Sequence, residues 1–202
     1  MNRLAALAAP WAAVALIACG GGGGGEPAPA PVTATSSSSP PPPAAGGGTG
    51  GTTPGGASTC GLADFQAEML RRVNEHRARG ASCGARGSYP AAPALAWNDA
   101  LTVAAAAHSH DMATRNYFSH TSPEGGTLRD RVEAAGYAWS SIAENIAAGY
   151  PSVAAVVDGW MASDGHCANI MNAGLRDIGV ACVSSSSASY RSYWTMDLGR
   201  PR

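Results

Sequence analysis

Residues 20–59 read GGGGGGEPAPAPVTATSSSSPPPPAAGGGTGGTTPGGAST, and this run constrains the fold more than any motif because it offers almost nothing to bury. It has no apolar periodicity and almost no charge. Without apolar side chains to withdraw from water it cannot repay the entropy of ordering, so a disordered tether is expected. Gly-rich scaling over about 40 residues gives a reach of roughly 35 Å, more where proline stiffens the chain. The fold is therefore expected in residues 60–202, a segment of ordinary single-domain size.

Ahead of the tether, residues 1–19 read MNRLAALAAPWAAVALIAC: one early positive charge at Arg3, an uncharged run, then a small residue before Cys19. That is the pattern of a secretory signal, too short to span a bilayer comfortably as a mature helix. The stretch LIAC resembles the lipobox of bacterial lipoproteins, whose cysteine is diacylated through its sulfur and becomes the mature N-terminus. Cys19 is thus the candidate lipidation site and the membrane the expected first partner; an ordinary signal peptide cut nearby is the alternative. Gly20 after the cysteine implies the outer membrane if the source is Gram-negative. The expected location is the cell envelope or the extracellular space.

Export changes what the cysteines do. Setting Cys19 aside leaves Cys60, Cys83, Cys167 and Cys182, an even number that implies two disulfides with three pairings open. Cys60 and Cys83 bracket one predicted helix, and Cys167 lies just before a segment leading to the strand that bears Cys182. Spacing therefore favours Cys60 with Cys83 and Cys167 with Cys182. No C-x-x-C occurs to suggest a structural zinc site. With a net charge of -1 and 13% charged residues, no nucleic-acid surface is indicated either. A monomer is expected.

Four amphipathic helices are legible. In GLADFQAEMLRRVNEHRARG, Leu62, Phe65, Met69, Val73 and His76 recur at helical spacing, and Gly80 ends the run. Asn98 caps a second helix from about Asp99 to Thr114. Thr127, with Asp130 in the first turn and Gly136 as the stop, defines a third. Ser152 caps a fourth that places Val153, Val156, Val157 and Trp160 on one face. DIGVACV and YRSYWTMDLG then alternate with period two and read as adjacent antiparallel strands around a serine-rich loop. Helices first and strands later point to an α+β domain.

Of the five histidines, His76 suits packing or capping at a helix end. His108 and His110 point to different faces of their helix and cannot converge on one ion. No H-E-x-x-H occurs, which removes the single-helix metalloprotease reading. His120 and His166 each read as loop residues beside a turn, where functional side chains concentrate. Between them Glu144 interrupts an apolar run and must find a donor, a metal or water. Two imidazoles and a carboxylate can make an open zinc site, but a structural His–Glu network is the commoner outcome.

VNEHRARG, LAWNDAL, HDMATRNYFSHTSPEG, DRVEAAGY, AENIAAGY, GWMASDGHCANIMN, IGVACV and YWTMDLG together resemble the CAP superfamily in its bacterial SCP-like branch. This is the group of cysteine-rich secretory proteins, antigen 5 and pathogenesis-related 1. The resemblance implies a three-layer α-β-α sandwich with a central cleft lined by two histidines and two glutamates, the histidines binding zinc in some members. Matched motif by motif, His120, Glu144 and His166 take three of those positions. The second glutamate falls on Ser163, which supplies no charge, so any zinc would be held weakly by His120 and His166, with Glu144 or solvent. No cofactor is required. The expected function is a binding module for a lipid, small-molecule or protein ligand; the alternative is a metal-assisted hydrolase with Glu144 as the candidate catalytic base.

Overall fold

A computed structural model describes residues 58–202 together with the backbone of Leu16–Ile17. Cys19, the expected signal segment apart from those two residues, and the expected tether up to residue 57 lie outside the described residues. In chain order the elements are β1 (Leu16–Ile17), α1 (Phe65–Arg79), β2 (Ala81–Ser82), β3 (Ser88–Tyr89), β4 (Ala96–Trp97) and α2 (Asp99–Arg115). They continue with α3 (Leu128–Ala134), β5 (Trp139–Ala148), α4 (Val153–Met161), α5 (Asp164–Met171), β6 (Asp177–Ser184) and β7 (Ser192–Pro201).

The central sheet runs β1-β5-β7-β6-β4, with β7 antiparallel to both β5 and β6 and β4 parallel to β6. One face carries α2, and α3 packs beside it. Here the backbone of Leu101 and Thr102 comes so close to Gly179 that a Cβ there would sit 2.2 Å from the Thr102 nitrogen, so only glycine admits the helix. The opposite face carries α1, α4 and α5 over the main core, which includes Met69, Val73, Val156, Trp160, Ile170 and Trp194. Phe65 stacks on Trp194 with ring centroids 5.8 Å apart. This is the expected three-layer α-β-α sandwich.

The capping residues act as the sequence implies. Asn98 and Ser152 accept from Leu101 N and Ala155 N, and Thr127 and Asp130 complete a reciprocal capping box. The stripe of α1 differs from expectation at its end: the buried positions are Phe65, Met69, Val73 and Arg77, not His76. Arg77 is fully buried and donates to the carbonyls of Pro93, Ile170, Asn172 and Leu175 at 2.6–3.3 Å. It ties α1 to the end of α5 and the turn that follows.

Besides the two-residue strands β1 to β4, β5 and α5 were not expected. β5 is a ten-residue strand between α3 and α4, so helices and strands are interleaved rather than segregated. α5 turns the segment around His166 into a helix instead of a loop. Its buried His166, Cys167, Ile170 and Met171 recur at helical spacing, a signal too short to stand against the Asp and Gly at its start.

The disulfide pairing also differs. Cys60 bonds Cys182 and Cys83 bonds Cys167, in place of the two sequence-local pairs. Thr59 forms a parallel bridge with Cys182, Cys60 N donates to Cys182 O and Cys182 N donates to Ser58 O, which lays the start of the domain along β6. Cys83 lies in the loop between β2 and β3, where Asp164 of α5 accepts from Ala85 N at 2.9 Å, so that loop is held to α5 rather than to α1.

Candidate functional site

Glu144 lies midway along β5 and is 5% exposed. One carboxylate oxygen accepts from His120 Nδ1 at 2.7 Å and the other from Arg131 Nη2 of α3 at 2.5 Å. Burial opposes the charged form, but the His120 hydrogen bond and the Arg131 charge hold the carboxyl below its ordinary range. A carboxylate accepts only, so the His120 Nδ1 carries the proton in this bond.

The turn that bears His120 is gripped from two sides. Arg131 donates to His120 O and Gly126 O, while His108 Nε2 donates to Ser119 O at 2.9 Å. His108 is 1% exposed on α2, and its Nε2 lies 4.0 Å from the nearer Glu144 oxygen. Burial pushes its pKa down to about 4, the Glu144 charge only partly opposing. A native value below the ordinary 6.5 means the folded state resists protonation. The residue's stability contribution is complete above pH 6.5 and is lost as pH falls toward 4. In an NMR titration the His108 ring signals are expected to keep their neutral positions until pH approaches 4; a midpoint near 6.5 would contradict the burial argument.

Across the sheet, Asp197 of β7 pairs in register with Glu144 and is fully buried. Burial first, and the Glu144 charge second, raise its pKa well above the usual carboxylate range, and a side-chain hydrogen bond to Glu144 adds to the shift, favouring the neutral acid as donor to Glu144. Its pH effect above 3.8 is therefore opposite in sign to that of His108.

His166 is fully buried on α5. That helix docks on the strand at Glu144: Asn145 Nδ2 donates to His166 O at 3.2 Å, and Asn169 donates to Glu144 O and Asn145 Oδ1. Ser163 is the N-cap residue of α5, with no side-chain capping bond. Among the described residues no group of three or more His, Cys, Asp or Glu is arranged to hold a metal ion.

The structure thus joins His120 to Glu144 directly and ties the helix of His166 to the same stretch of β5. It adds His108, Arg131 and Asp197. His108 was legible: it shares the buried face of Leu101, Ala104, Ala105 and Met112 on α2, and a polar residue there needs a partner. Asp197 sits with Tyr193 and Thr195 on one face of a strand buried on both, an equally visible anomaly. Arg131, in a short capped helix, carries no such signal.

The α-β-α sandwich thus holds a His120–Glu144 pair at β5. The CAP model, described as the cysteine-rich secretory protein family, matches residues 70–198, and the chain belongs to that family. YkwD of Bacillus subtilis (strain 168), an uncharacterized protein, is 40% identical over 90 residues, 45% of this chain and 35% of YkwD. The chain therefore spans about a third of that relative's length. An extracellular protein containing a SCP domain from Bacillus anthracis str. Ames is similar with 28% identity and a TM-score of 0.52, over 75% of this chain and 45% of that one. NaASP2, solved with Zn2+, shares the fold at 14% identity and a TM-score of 0.50, over 74% of this chain and 84% of its own. No helix of the described residues is long and apolar enough to cross a membrane.

Proposed function

We propose that this protein is an exported binding module of the cell envelope, lipid-anchored at Cys19 and carrying its CAP domain on the tether of residues 20–59. The observation that carries the reading is the state of Glu144. Both of its oxygens are engaged, by His120 and Arg131, and a carboxylate so paired is a poor general base. Ser163 stands where the resemblance implies a second carboxylate and adds no charge to replace it.

Zinc, which NaASP2 holds in its solved structure, is met here by a limited donor set. The Glu144 bond engages His120 Nδ1, the arrangement by which a carboxylate orients a histidine ligand. Glu144 then acts behind the ligand, leaving His120 and His166 to hold the ion. Two neutral ligands imply weak, exchangeable binding that fades as imidazoles protonate. Zinc would supply Lewis acidity there.

Calorimetric zinc titration of the oxidised protein, with a screen of peptide and ester substrates and mass spectrometry of the membrane fraction, tests the reading. Weak zinc binding lost in His120→Ala and His166→Ala, no turnover, and a diacylated Cys19 are expected. Turnover abolished by Glu144→Gln would instead establish the metal-assisted hydrolase, and an unmodified N-terminus lacking Cys19 in the soluble fraction would remove the anchor.

A further inference from the structure

On one side β5 pairs with β7 from Trp139 to Ala148; on its outer side, among the described residues, it carries only the two-residue β1. Leu16 pairs antiparallel with Ala147, and Ile17 with Ile146. Backbone groups alternate in direction along a strand, so one of the Ile146 and Ala147 N–H groups points to the β1 side. The side chains are committed elsewhere: Ile146 clusters with Met112 and Tyr193, and Ala147 belongs to the main core on the other face. The edge therefore offers a partner its main chain. Trp160 Nε1 donates to Ile146 O at 3.4 Å, but a carbonyl oxygen has two lone pairs, so that bond does not exclude a strand N–H.

Leu16 and Ile17 lie upstream of Cys19, and on the lipid-anchor reading that cysteine becomes the N-terminus. Maturation then removes the strand that fills this place. An edge without its partner strand is a template for another extended chain. A second copy is poorly suited to it: β5 ends at Ala148 and the chain turns away at Gly149 toward α4, so two β5 strands paired antiparallel about this point would meet only over residues 145–148. The segment seated there is instead a short apolar one, Leu16–Ile17.

We propose that the β5 edge at Ile146 and Ala147 is a strand-binding seat, vacated on maturation and filled by an extended apolar segment of a partner protein. The inference names the partner chemistry of the binding module and rests on cleavage before Cys19.

Protein purified from the membrane fraction is titrated with a lysine-flanked peptide of residues 13–18, AVALIA, and with the same peptide carrying Leu16→Pro and Ile17→Pro, which removes both strand N–H groups. Anisotropy of the labelled peptide reads binding, NMR reads amide exchange at Ile146 and Ala147, and mass spectrometry reads the N-terminus. The AVALIA peptide is expected to bind saturably, about tenfold or more tighter than the proline peptide, and to slow exchange at one of the two amides about tenfold. The Cys19→Ala precursor, which retains residues 16–17, is expected to bind it about tenfold more weakly. Equal binding of the two peptides, unchanged exchange at both amides, or wild-type affinity in the precursor would overturn the proposal. So would a mature protein that self-associates and already exchanges slowly there, because the seat would then belong to a second copy. A cleaved chain that binds no peptide removes this inference alone, whereas a chain that keeps residues 1–18 removes the anchor reading with it.

Discussion

Arg77→Ala is expected to lower the unfolding free energy by about 4 kcal/mol, a large share of the total for a domain of this size. The guanidinium is fully buried and shifted down to about 10 by that burial, with the Arg176 charge adding to the effect. It is held by four backbone carbonyls, those of Pro93, Ile170, Asn172 and Leu175, with no acidic partner among the bonds it makes. Alanine withdraws donors from all four and leaves a void between α1 and the end of α5. Arg77→Lys is expected to recover only a small part, because an ammonium cannot reproduce the planar fork that reaches carbonyls in several directions. Urea unfolding followed by circular dichroism measures both variants. A loss below about 1 kcal/mol in the alanine variant would mean that water replaces the guanidinium at little cost.

Removal of the Cys60–Cys182 bridge in a Cys60→Ala, Cys182→Ala double variant is expected to cost about 4–5 kcal/mol. The bridge spans a sequence separation of 122, so it restricts the unfolded chain over most of the domain. It also fastens Ser58 and Thr59 to β6, through the Cys182 N to Ser58 O bond and the Thr59 bridge. Ser58 and Thr59 would thus lose their fixed place along β6 as well. Denaturant unfolding under non-reducing conditions gives the magnitude, and non-reducing peptide mapping checks the pairing. A Cys60–Cys83 cross-link would restore the sequence-local arrangement and remove the basis of the estimate.

The disulfides show why part of the fold escaped sequence reading. Parity and compartment imply two bridges, but pairing depends on which loops meet in space. The loop of Cys83 passes over α5, where Asp164 accepts from Ala85 N, and that contact arises only once α5 is a helix on the sheet. β5 was missed for a related reason: Glu144 and Asn145 interrupt its apolar run, and both are tolerable there because His120, Arg131 and Asn169 satisfy them from other elements.

The site divides in the same way. His120, Glu144 and His166 were legible from their motifs, and His120 and Glu144 do meet. The buried Asp197 opposite Glu144 required the β5–β7 register, and Arg131 required the placement of α3 against β5.

The sequence by itself determined the composition break near residue 60, the four capped amphipathic helices, the β6–β7 pair, the number of disulfides and the family. Each follows from local periodicity, capping chemistry, cysteine parity or a run of motifs. Only the tertiary structure decided which cysteines bond, that α1 spends its last buried position on Arg77, and that the Glu144 carboxylate pairs with His120 and Arg131 while facing Asp197. Those outcomes depend on bringing together hydrogen-bond donors and acceptors that are distant in the chain, information that no local pattern carries.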